Sequence, residues 1–87
     1  MNNEKFNWFT IISFNLRPNF LVLASDGLWD VFTNQEATDY ISKHLDEPHF
    51  GAKSISIEAY MRGSTDNISV VVVVFKNGLY QTGTSEL

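Results

Sequence analysis

The chain has 87 residues, six basic against ten acidic side chains, a formal net charge of -4 and no cysteine. One small domain is the most this length holds, burying about 60–65% of the surface its unfolded form exposes. The missing cysteines exclude disulfides and thiolate metal sites, and the scattered Lys and Arg exclude a nucleic-acid surface, which needs clustered positive charge.

Residues 1–5 are polar and expected to fray. The apolar stretch from Phe6 to Phe14 is nine residues long and interrupted by Asn7, Thr10 and Ser13. A membrane span needs roughly 20 residues, so this stretch reads as a strand without an evident partner. It also lacks the basic start and small-residue cleavage pattern of a signal peptide, and the absence of cysteine is compatible with a cytoplasmic setting. Arg17-Pro18-Asn19 punctuates the chain, because proline disfavours helix at the residue before it. Phe20 to Ala24 is then a short apolar run bounded by turn residues, the pattern of a buried strand.

Thr33-Asn34-Gln35-Glu36 is a capping box: the threonine hydroxyl accepts from the Glu36 amide, and the glutamate reaches back. The helix it starts places Ala37, Tyr40, Ile41 and His44 or Leu45 on one face and stops before Pro48. A second helix is expected from Pro48, running through Ala52, Ile55, Ala59 and Tyr60 to Gly63 as its C-terminal cap. Ile68 to Phe75, with five consecutive valines, is the strongest strand pattern. An unbroken apolar run predicts cover on both faces. Asn77-Gly78 predicts a tight turn, and residues 81–87 a loose tail.

The valine strand needs two covered faces and two paired edges. Leaving one face wet forfeits several kcal/mol at roughly 25 cal/mol per Å², out of a typical domain stability of about 5–15 kcal/mol. Two arrangements answer this: a larger sheet completed by other protein, or a compact two-layer domain whose N-terminal segment fills the gap. The predicted class is α+β, antiparallel strands flanked by an α-helical hairpin.

Asp26 directly follows one strand and Asp66 shortly precedes another. With a helical hairpin between them, the strands run antiparallel and both aspartates fall at the same sheet edge. Converging carboxylates suit a hard cation such as magnesium or manganese. Each aspartate also reads as an ordinary turn residue, and the residues alone leave that choice open.

FLVLASDGLWDVF (residues 20–32) and STDNISVVVVVF (residues 64–75) resemble two motifs of the type 2C metal-dependent protein serine/threonine phosphatases, in family order and spacing. LDEPHFGAKSI (residues 45–55) is similar to the family's 1-like, or epsilon, subtype. The match covers residues 16–76, with 1–15 lacking a clear counterpart and 77–87 assigned to turn and tail. The resemblance implies a fragment of a β-sandwich with helical outer layers. It also implies Asp26 and Asp66 as ligands of one of two Mg²⁺ or Mn²⁺ ions, and Asn67 as a residue orienting the second ligand.

In the complete family site the two ions activate a water for direct attack on phosphoserine or phosphothreonine. The family's Asp-Gly-His-Gly motif and its phosphate-binding arginine motif have no match in this sequence, so the chain is expected to be inactive alone. Residues 1–15 do not resemble the family's preceding segment, which points to an alternative start, a truncated product or a gene-model artefact. Leu28 and Trp29 are expected in the core, Asp30 at the following turn, and His44 and His49 in solvent or packing. Two other readings stand beside the phosphatase fragment. One is a noncatalytic interaction module that docks onto a complementary phosphatase segment; the other is an unrelated small metal-binding domain.

Overall fold

A computed structural model describes the backbone of residues 9–13 and 19–87 and the side chains of residues 20–87. The expected fraying of residues 1–5 and the Arg17-Pro18 break lie outside the described residues. One four-stranded antiparallel sheet has the order β1 (Phe9–Ser13), β2 (Asn19–Ala24), β3 (Ser69–Lys76), β4 (Leu79–Glu86). Phe9–Ser13 finds its missing partner in β2, with Ile11 opposite Val22. The central β2–β3 ladder runs from Asn19 opposite Phe75 to Ala24 opposite Val70.

Helices cover one face. A single turn, α1 (Asp26–Trp29), follows β2, then come α2 (Asn34–Ser42), a 3-10 segment (Pro48–Gly51) and α3 (Ala52–Met61). The capping box at Thr33 forms as expected, with both reciprocal bonds present. Ala37 and Ile41 of α2, Ala52, Ile55 and Ala59 of α3, and Phe20, Val22, Val70 and Val72 of the sheet make one buried core. Leu28 is fully buried and Trp29 packs against this core.

Two expectations need correction, the start of the second helix and the loose tail. The second helix begins after Gly51, not at Pro48, because His49, Phe50 and Gly51 all have positive φ and break the turn. Tyr60 is 66% exposed. The fourth inward position of α3 is Ser56, whose hydroxyl donates to the Ala52 carbonyl and so tolerates full burial. The presumed tail is a regular strand: Asn77 and Gly78, both at positive φ, make the turn, and β4 pairs with β3 from Leu79 opposite Lys76 to Glu86 opposite Ser69. Among the described residues the helices cover β3 on one face only, the situation that the larger-sheet arrangement anticipates. Val70, Val72 and Val74 are buried, whereas Val71 and Val73 are half-buried and Phe75 is exposed.

Arg62 closes the helical layer. Its guanidinium lies 3.9 Å from the Phe32 ring centroid and donates to the Val31 carbonyl, and it pairs with Glu36 and Glu58. The Thr33 amide, opposed by burial and assisted by Arg62, holds the Glu36 carboxyl below its ordinary range. A carboxyl depressed on folding stabilises above its unfolded pKa and loses that contribution as pH falls through the folded value. In urea titrations across the acid range, Glu36→Gln, which keeps an acceptor for the cap, is therefore expected to flatten the acid-side loss of stability.

Gly83 in β4 answers a close approach. A Cβ there would sit 2.1 Å from the His49 carbonyl oxygen, inside the left-handed segment. Gly83→Ala is expected to lower unfolding free energy by about 1–3 kcal/mol; an unchanged urea midpoint would disprove this contact.

Candidate metal centre

The β2–β3 ladder does not stop where the strands do. The Ser25 amide donates to the Ser69 carbonyl at 3.0 Å, extending the pairing one step. The Ser25 side chain, only 2% exposed as a residue, then works in both directions. Its Oγ donates to the Asn67 carbonyl and accepts from the Ser69 amide, each at 3.0 Å. A buried hydroxyl is costly unless bonded, and here both of its roles are filled.

The next two residues are held as closely. A Cβ on Gly27 would lie 2.1 Å from the Asn67 carbonyl oxygen, so only glycine lets the 26–27 backbone approach the 66–67 backbone. The Ser64 hydroxyl donates to the Gly27 carbonyl at 2.8 Å, and the Trp29 indole donates to the Ala24 carbonyl at 2.8 Å. Ser25, Ser64 and Gly27 thus lock the Asp26 segment onto the loop that carries Asp66, and Trp29 braces the Asp26 turn against the end of β2.

Both aspartates are half-buried. They stand at the same end of adjacent antiparallel strands, Asp26 just after β2 and Asp66 just before β3. That parity is the one expected from a helical hairpin between the strands. The hydrogen bond tying Asn67 to the Asp26 segment runs through its main-chain carbonyl, and the residue is exposed. The Asp30 amide bonds back to the Asp26 carbonyl and closes α1.

The histidines stand apart from this edge. His44 stacks on Tyr40 at 4.1 Å, its Nδ1 2.6 Å from the Tyr40 carbonyl, and His49 is exposed. Ser25 and Ser64 were not singled out in the sequence. The one available signal was a small polar residue between an apolar run and Asp-Gly. Among the described residues no group of three or more His, Cys, Asp or Glu side chains forms a metal cluster. Two hard oxygen donors on a stitched backbone fit part of a divalent-cation site.

The family model for protein phosphatase 2C matches residues 9–68, and the chain belongs to that family. The matched span begins within the segment expected to lack a counterpart. Protein phosphatase 1L of Bos taurus is 60% identical over 62 residues, covering 71% of this chain and 17% of the relative, in agreement with the subtype resemblance. Probable protein phosphatase 2C 59 of Arabidopsis thaliana is 59% identical over 56 residues (64% and 18%). Probable protein phosphatase 2C 45 of Oryza sativa subsp. japonica is 52% identical over 64 residues (74% and 22%). The chain thus spans about a fifth of the length of these relatives. No solved structure matches it.

Replacing Ser25 by alanine removes both hydroxyl bonds and strands the part-buried Ser69 amide. The expected loss is about 1–3 kcal/mol, read as a lower urea midpoint with an unchanged slope. A Ser25→Ala chain as stable as the parent would show the stitch to be dispensable.

Proposed function

We propose that this chain is the part of a metal-dependent protein serine/threonine phosphatase that carries ligands for one of its two Mg²⁺ or Mn²⁺ ions. Asp26 and Asp66 are the ligands, and Asn67 orients the second of them. The observation that carries this reading is the backbone stitch at Ser25 and Gly27, which brings the two aspartate-bearing segments together within the family's own motifs.

In this reading the carboxylates bind the cation and fix its position relative to the sheet. Their main chain is already ordered, so binding requires little rearrangement of the protein. The metals, when bound, supply an activated water for direct hydrolysis of phosphoserine or phosphothreonine in a phosphoprotein substrate. The rest of the machinery belongs to the other four-fifths of a full-length phosphatase, so the chain alone turns nothing over.

A second role follows from the half-covered β3. Leu21, Leu23, Val71 and Val73 share the sheet face away from the core and are half-buried. This apolar face supports the reading that the sheet is one layer of a β-sandwich, completed by a complementary phosphatase segment. As a noncatalytic module the chain would dock there or compete with the parent enzyme's own segment.

With Mn²⁺ and p-nitrophenyl phosphate or a phosphopeptide, the expected rate is that of buffer. Turnover that Asp26→Ala abolishes would overturn the inactivity. Calorimetric titration with Mn²⁺ is expected to show weak binding, lost in both Asp26→Asn and Asp66→Asn. Equal binding by the parent and both variants would remove the ligand assignment.

A further inference from the structure

The sheet ends at β4, and among the described residues nothing pairs with its outer edge. Natural edge strands discourage pairing with charges, prolines or short length. This one has eight residues, no proline and a single charge, Glu86. Its long apolar side chains are bare: Leu79 is 72% and Tyr80 68% exposed, and Leu87 just beyond it 51%.

Hydrogen-bond parity tells which groups are available. Ile68 and Leu87 exchange both main-chain bonds. In an antiparallel ladder such pairs recur at every second residue, so Leu79, Gln81, Gly83 and Ser85 bond inward to β3. Tyr80, Thr82, Thr84 and Glu86 therefore aim their amides and carbonyls outward.

We propose that this edge pairs with the same edge of a second copy of the chain, antiparallel and about a two-fold axis at Gly83. That register sets outward residue against outward residue, Tyr80 facing Glu86 and Thr82 facing Thr84 of the other copy. It also sets Leu79 against Leu87, joining apolar side chains that are otherwise exposed, and it opposes no like charges. A shift of two residues either way breaks the leucine pairing and shortens the ladder. The interface is isologous and closes at two chains.

The helical layer agrees with this placement. Ser54, Glu58 and Arg62, one flank of α3, meet α2 through Tyr40, Glu36 and their own pairing. At 100° per residue, Tyr60 lies on the opposite flank, on the side of the β4 edge, and is 66% exposed. Because a two-fold axis normal to the sheet keeps both helical layers on one face, the two α3 helices flank the junction.

Sedimentation equilibrium of the full chain tests the pairing. The average mass is expected to rise from 9.9 kDa toward twice that value between about 1 and 300 µM, the range of a small interface. Thr82→Lys/Thr84→Lys sets like charges opposite each other twice and is expected to weaken association about tenfold. Thr82→Glu/Thr84→Lys sets opposite charges together in this register alone and is expected to keep or tighten it. Thr84→Pro deletes an outward amide without touching the β3 ladder and is expected to give single chains. A single-chain mass in the parent throughout the range overturns the proposal, as does growth beyond two chains. A folded Glu/Lys variant that dissociates like the double-lysine variant overturns the register.

Discussion

One buried hydroxyl decides where this molecule's acidic groups can stand. Ser25 sits at the point where β2 ends and the chain turns into α1, and it must satisfy its Oγ without water. It does so by donating to Asn67 and accepting from Ser69, residues on either side of the start of β3. The bonds are cheap individually, about 1 kcal/mol net each, but leaving them unmade is not. Gly27 makes the same approach possible sterically, since any side chain would collide with the Asn67 carbonyl. The backbone segments that carry Asp26 and Asp66 are therefore held together by the Ser25 hydroxyl and by the close approach at Gly27.

The valine strand shows why apolar content and observed cover can diverge. Five consecutive valines put apolar side chains on both faces of β3. The helical layer supplies partners for Val70, Val72 and Val74, and burial on that face is nearly complete. Among the described residues no comparable layer covers Leu21, Leu23, Val71 and Val73. Nothing in the helix-facing core requires valine or leucine at those positions; polar β-branched residues would hold the same ladder. Their apolar character is a property the described fold does not use, which is the physical ground for reading the sheet as one layer of a larger core.

How much of this was legible in the sequence depended on the range of the interaction. The capping box at Thr33, the Asn77-Gly78 turn and the cap at Gly63 are local, each set by residues within a few positions, and each formed. The central antiparallel pair was legible because apolar runs flank a helical hairpin whose parity leaves one choice. β4 was not, since LYQTGTSE carries no apolar alternation; its order comes from the ladder with β3 and from Gly83 fitting under His49. The left-handed run at His49 and Phe50 was also hidden, because neither residue is glycine and only tertiary contacts hold such a conformation. Asp26 and Asp66 stood out by type and topology. Ser25 did not, because its partners lie more than 40 positions away.

The alternation of the β3 ladder links these parts. Ile68 bonds outward to Leu87 on one side, and Ser69 bonds to Ser25 on the other. The short loop through Asp66 and Asn67 is thus anchored by β4 at one residue and by β2 at the next. Fraying at the end of β4 would release Ile68, and the Asn67 carbonyl that receives Ser25 is attached directly to the Ile68 amide. The added strand therefore does more than extend the sheet: it holds the second of two grips on the Asp66 loop. Any contact that orders the β4 edge acts on the same strand that positions the carboxylates, so the edge and the acidic end of the sheet belong to one mechanical unit.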